Sequence, residues 1–168
     1  MRLANVCSPK IQSHPCIAPQ AQRDVFIGIA LEDRGGSIAA INNNSCVLEV
    51  KSLSQFLQVF GPEVVDFIER HPSTNVAILG GAKDRNAARQ IGRLEGLILV
   101  VTRRSPGVAF AAEMLRRVGV AALGDPPSDP ADWANAIFPS RPWREVPGNQ
   151  RAHELAVLAA AYARATDF

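Results

Sequence analysis

Long apolar runs are missing from this 168-residue chain: the longest, Leu155 to Ala163, spans nine residues, against the roughly 20 that a membrane-spanning helix needs. No such helix is expected, and no membrane partner. A three-part secretory leader is missing too, because Asn5, Ser8, Pro9 and Lys10 interrupt the first residues. A cytoplasmic protein is the expectation. Cysteine is scarce and odd in number, with only Cys7, Cys16 and Cys46, which argues against a disulfide framework and for reduced thiols. Charge of one sign is not in large excess: the net charge is +2, short of what a protein that coats nucleic acid indiscriminately carries. Lysine is nearly absent, with 3 Lys against 15 Arg. Arginine suits bidentate phosphate contacts, and the same bias also follows from genomic base composition.

What is present is one domain's worth of chain, 47% hydrophobic, enough to bury a core and too apolar for general disorder. Residues 1–22 carry three prolines and no apolar periodicity, and read as an extended arm outside a single domain over 23–168. Cys7, His14 and Cys16 in that arm lack the pair spacing and the fourth ligand of a structural zinc site.

From Val25 to Leu31 a near-continuous apolar run has strand length and the composition of a strand buried on both faces. Turn chemistry at Glu32-Asp33-Arg34-Gly35-Gly36 and at Asn42-Asn43-Asn44-Ser45 sets off two more runs, Ser37 to Ile41 and Cys46 to Val50, giving a three-stranded meander. Ser52 or Ser54 suits the cap of a helix with apolar positions from Leu53 to Ile68, interrupted or kinked at Gly61-Pro62. Val76 to Leu79 forms a fourth strand entering Gly80-Gly81. A helix follows from about Asn86 to Glu95. Leu97 to Val101 fits either the end of that helix or a further strand, and Val108 to Val118 reads as helix. Asp125 to Gly148 is mostly proline-rich loop around a short helix, Ala131 to Phe138, before a last helix from Gln150 to Ala165 that packs on the sheet. Three antiparallel strands followed by a crossover to a parallel strand point to an α/β, ribonuclease H-like mixed sheet flanked by helices.

Over about residues 25–163 the spacing resembles the RuvC-type Holliday junction resolvases of the ribonuclease H-like superfamily. Phe26-Ile27-Gly28-Ile29-Ala30 is similar to that family's first strand, and Gly36 to Ile41 to its second. Asn86 to Ile98, with Gly92 and Gly96, resembles its close-packing helix, and Arg151 to Leu158 its final helix. The resemblance implies four carboxylates holding two Mg²⁺ ions for phosphodiester hydrolysis, since paired divalent cations need that negative charge around them. The matching positions here are Ala30, Leu79, Gln150 and His153. None is an acid. The resemblance therefore implies the fold while arguing against the chemistry and against a bound cofactor.

Substitute acids define the alternative: Glu32, Asp84, His153 and Glu154 as a displaced Mg²⁺ site, with His153 as ligand or general base. Their plainer reading is that Glu32 and Asp33 are turn residues, Glu154 suits the positive end of its helix and His153 is an exposed polar residue. Arg85, Arg89 and Arg93 recur at every fourth position along one helix face, with Lys83 just before and Arg103-Arg104 after. A phosphate backbone suits such a stripe; so does an ordinary solvated face. Arg141, Arg144 and Arg151 around Trp143 suit phosphate gripping and base stacking if the indole is exposed, whereas a buried Trp143 or Trp133 is a loop anchor. Gly80-Gly81 fits neither phosphate-loop template, no Ser or His sits in a nucleophile-elbow pattern, and Cys46 reads as a small buried group.

Three functions follow as expectations: a degenerate RuvC-like module that binds nucleic acid, DNA in particular; a metal-dependent nuclease with relocated acids; or a structural interaction domain that uses the 125–148 segment. A homodimer is compatible with each.

Overall fold

The computed structural model describes residues 24–166 apart from 34, 55–56, 74, 82–84, 120–128 and 139, and the backbone alone at 57–59. The arm expected over 1–22 and its Cys7, His14 and Cys16 lie outside the described residues. Five strands, β1 (Val25–Ala30), β2 (Gly36–Asn42), β3 (Val47–Leu53), β4 (Asn75–Gly80) and β5 (Gly107–Phe110), form one sheet in the order β3-β2-β1-β4-β5. β1 pairs antiparallel with β2 and parallel with β4, and β4 pairs parallel with β5. This is the mixed sheet that the element order implies. All six residues of β1 are buried, as befits the centre of a two-sided sheet.

Alternation along the strands sorts the core into two layers. Val25, Ile27 and Ile29 of β1, with Ile38 of β2 and Val76 and Ile78 of β4, face helices α1 (Leu57–Arg70) and α2 (Arg85–Thr102). Phe26 and Ala30, with Ala39, Ile41 and Ala77, face α3 (Ala111–Gly119), α4 (Pro130–Ile137) and α5 (Gln150–Ala165). Helix α5 lies across β1, β2 and β4, and eleven of its residues from Ala152 to Ala163 are buried. Its alanines let it come close: a Cβ on Gly28 would overlap the Ala156 carbonyl oxygen and the Ala160 amide nitrogen. Asn149 caps α5 by accepting from the Ala152 amide at 3.3 Å.

The structure settles two readings that the sequence left open and corrects a third. Residues 97–101 continue α2, which runs 18 residues to Thr102. Pro62 stays inside α1, where the buried stripe Phe60, Val64, Phe67 and Ile68 outweighs one missing amide. The segment expected as helix from Val108 opens as β5, in register with β4 from Ala77↔Gly107 to Gly80↔Phe110, and only then turns into α3. Local propensity favours helix there; pairing to an open sheet edge overrides it. Ser52 belongs to β3, so it is not a helix cap. Among the described residues no helix is long and apolar enough to cross a membrane.

Candidate functional site

The parallel strands β1 and β4 end together, and α5 begins above them. Three of the positions that the resemblance matches to acids lie at that end of the sheet, on the α5 side. Ala30, the last residue of β1, is fully buried and paired in register with Ser37 of β2. Leu79, one residue from the end of β4, packs against the same core layer. His153, in the first turn of α5, is fully buried, which corrects its reading as an exposed polar residue. The cause is α5's close seat on Gly28, which drives the fourth residue of the helix into the sheet.

Among the described residues Ser37 and His153 are the two buried residues of polar type, and they are bonded to each other: Ser37 Oγ lies 2.8 Å from His153 Nδ1. The Ser37 hydroxyl also reaches the Lys51 carbonyl at 3.2 Å, and the imidazole tautomer sets whether Ser37 Oγ or His153 Nδ1 is the donor in the bond between them. His153 Nε2 is buried without a hydrogen bond. Burial holds the His153 pKa below the ordinary imidazole value, against smaller opposing pulls from the nearby Pro147 and Val146 carbonyls and from Glu154. The side chain is therefore a neutral imidazole in a sealed place.

The seal is the segment leading into α5. Ser52 Oγ on β3 donates to the Pro147 carbonyl at 2.6 Å. Gly148 follows at φ +131, and a Cβ there would overlap Ser52 and come within 3.3 Å of His153 Nε2. Only glycine fits this backbone and this space. Gln150 is exposed and turned outward, donating from Nε2 to the Val146 carbonyl at 2.9 Å. It does not share the site with His153.

The substitute acids are dispersed. Glu32 is half-buried in the loop after β1, beyond the last strand residue, so the strand does not carry it onto Ala30's face. Glu154 accepts from Asn135 Nδ2 on α4 at 3.2 Å. Asp84 lies outside the described residues. Among the described residues no three His, Cys, Asp or Glu side chains are grouped to hold a metal ion.

The arginines separate by place. Arg85, Arg89 and Arg93 are exposed along α2 from its first residue. Arg103 and Arg104 are exposed just past the other end of the helix, about 27 Å from Arg85 and about 15 Å from Arg93 at 1.5 Å per residue. Lys83 lies outside the described residues. Trp143 does not present a stacking surface, because it is fully buried on the α5 side, edge-on to Phe138 at 6.1 Å. Trp133 is buried as well, against Gly119. Both are anchors, as large aromatics are when a core is within reach. Cys46 is exposed, because it sits at the hairpin turn just before β3 rather than within the strand.

Ser37 drew no notice as a site residue in the sequence. Its only signal is that it falls in phase with Ala39 and Ile41 on the inward face of its strand.

Against solved structures the chain superposes on T. thermophilus RuvC in complex with Holliday junction substrate, with a TM-score of 0.58 over 83% of this chain and 91% of that one. The fold is RuvC-like. Thermus thermophilus RuvC in a second structure matches with a TM-score of 0.57 over 82% of this chain and 92% of that one. Sequence identity is 14% in both, so the similarity is one of fold. No protein-family model and no curated protein matches the sequence. The mixed sheet and final helix expected from the resemblance are thus present in three dimensions.

Proposed function

We propose that this protein is a RuvC-like module that binds DNA and does not cut it by a two-metal mechanism. The observation that carries this reading is the Ser37–His153 hydrogen bond, 2.8 Å long and fully buried. It lies where β1 ends and the last helix begins, the place to which the RuvC resemblance assigns carboxylates. A serine, a neutral imidazole, Ala30 and Leu79 offer no negative charge to two divalent cations.

The DNA half of the reading is supported by α2. Arg85, Arg89 and Arg93 are solvent-exposed at one-turn spacing, and the first acid on the helix is Glu95. Phosphates are met by just such a row of guanidinium groups, which position a duplex without reading its sequence. That one structural neighbour is described as bound to a Holliday junction makes a branched DNA the first ligand to try.

The test is a salt titration of binding and cleavage with four-way-junction, duplex and single-stranded DNA, with and without Mn²⁺. Binding that falls steeply with salt and produces no cleavage is expected. Replacing Arg85, Arg89 and Arg93 with Ala should weaken binding on every sequence and flatten the salt dependence by about 0.9 in log–log slope for each phosphate that is no longer neutralised. Cleavage that disappears in Glu32→Gln or Glu154→Gln would overturn the reading in favour of relocated acids. No binding at low salt would overturn the DNA assignment.

A further inference from the structure

The outer face of α2 is apolar in the second half of the helix. Leu99 is 46% exposed and Val100 69% exposed, while Leu94 and Ile98 carry the helix's buried contact with the core. A helix with one face in the core ordinarily turns polar side chains outward, so this pair is not explained by packing on the sheet. Val100 falls in one row with Arg93 and Leu97, at steps of four and three residues. Arg93 and Leu97 line a groove of about 620 Å³ shared with Gly61, Pro62 and Val65 of α1. The apolar surface thus runs from Leu99 across Val100 toward that groove. Beside it the helix is flat: Gly92 and Gly96 are exposed, and a Cβ at either would meet nothing within 4 Å. A second backbone can come close there.

The charges on this face are arranged about Leu99. Glu95 stands four residues before it and Arg103 four residues after, about one helical turn on either side. Arg103 is held at that step although it follows the last helical residue. Its amide donates to the Leu99 carbonyl at 2.9 Å, and it takes φ +60, a conformation that favours glycine at a helix end. An acid, an apolar centre and a base at equal steps make a strip that fits its own copy turned end for end. A two-fold axis at Leu99 sets that side chain on the partner's Leu99, and it sets Glu95 opposite the partner's Arg103 in both halves of the contact. Arg85 and Arg89 precede the strip and take no part in it.

We propose that the outer face of α2 is the contact between two copies of this chain, packed antiparallel about Leu99. The proposal stands on this face alone and does not depend on DNA binding. A nucleic-acid occupant fits the strip poorly, since Leu99 and Val100 offer phosphates no donor and Glu95 repels them. A different protein would have to present the same acid and base in reverse order, which a second copy supplies by symmetry.

The experiment measures the particle mass of the full chain by sedimentation equilibrium over a concentration series, with circular dichroism to check that each variant is folded. The parent should be a dimer. Leu99→Asp sets a carboxylate against its symmetry mate and should give monomers with the parent's helical spectrum, because the position is on the solvent side of α2. Glu95→Arg and Arg103→Glu should each weaken the dimer roughly 10-fold by placing like charges face to face. The double variant Glu95→Arg/Arg103→Glu should recover the parent's dimerisation constant. If Leu99→Asp loses its helical spectrum, the charge swaps at the edges of the face decide the matter. A monomeric parent overturns the proposal, and so does a dimer that a folded Leu99→Asp leaves intact. Single swaps that the double variant does not rescue overturn the antiparallel arrangement. A monomeric parent whose binding to a four-way junction is lost in Leu99→Asp overturns self-association and assigns the face to nucleic acid.

Discussion

Gly28 and Ala160 touch backbone to backbone: a Cβ on the glycine would overlap the alanine's amide nitrogen as well as the Ala156 carbonyl. This contact sets the height of α5 above the central strand. The height in turn decides that His153 enters the interior and reaches Ser37.

Gly28→Ala should therefore destabilise the protein by on the order of 3 kcal/mol, because neither neighbour is a side chain that can rotate away. Denaturant unfolding would measure it. A loss below about 1 kcal/mol would show that α5 can lift without penalty, and that His153 is not held down by this contact.

Acid should weaken the fold through His153. Its folded pKa lies below the ordinary value of 6.5 because of burial, so the unfolded chain takes up a proton more readily than the folded one. Stability from this group is complete above about pH 6.5 and is lost as pH falls toward the depressed folded pKa. Denaturant midpoints taken from about pH 8 to about pH 5 should decline in the parent, and decline less in His153→Leu. Equal slopes in the two proteins would remove the buried imidazole as the cause.

Trp133 and Trp143 should both emit as buried indoles, blue-shifted and protected from acrylamide. Trp143→Ala should cost about 3 to 5 kcal/mol, the range for deleting a large aromatic from a core. Trp143→Phe should cost much less, because Nε1 is buried without a partner and its removal relieves an unsatisfied donor. Strong acrylamide quenching of the folded parent would contradict the burial of these rings.

Introducing one acid at Ala30 should not create a metal centre. Ala30 is fully buried beside Ser37, so Ala30→Asp should lower stability by about 3 kcal/mol or more at neutral pH. The penalty should shrink as pH falls and the carboxyl becomes neutral. Millimolar Mg²⁺ should leave the thermal midpoints of parent and variant where they were. A rise on adding Mg²⁺ to the parent would reveal divalent-ion binding by this fold.

The order of elements was legible because the early strands and the long helices have distinct periods. Val25 to Ala30 is continuously apolar, and α1 repeats its core residues at three and four. β5 was not legible: Ala111 to Val118 is strongly helix-forming, and the four strand residues before it gain their strand state only from β4. For the candidate site, the residue types at Ala30, Leu79 and His153 could be read in advance. The burial of His153 could not.

By itself the sequence determined the alternation of strand and helix, the lack of acids at Ala30, Leu79, Gln150 and His153, and the one-turn spacing of Arg85, Arg89 and Arg93. These are properties of residue type and of local backbone period. The tertiary structure alone decided that Ser37 is the partner of His153, 116 positions away in the chain, that Trp143 is inside and Phe110 outside, and that Cys46 is exposed. Burial and pairing of this kind depend on strand register and on how close one helix can approach a sheet. Both are set by contacts between residues far apart in sequence, such as Gly28 with Ala160.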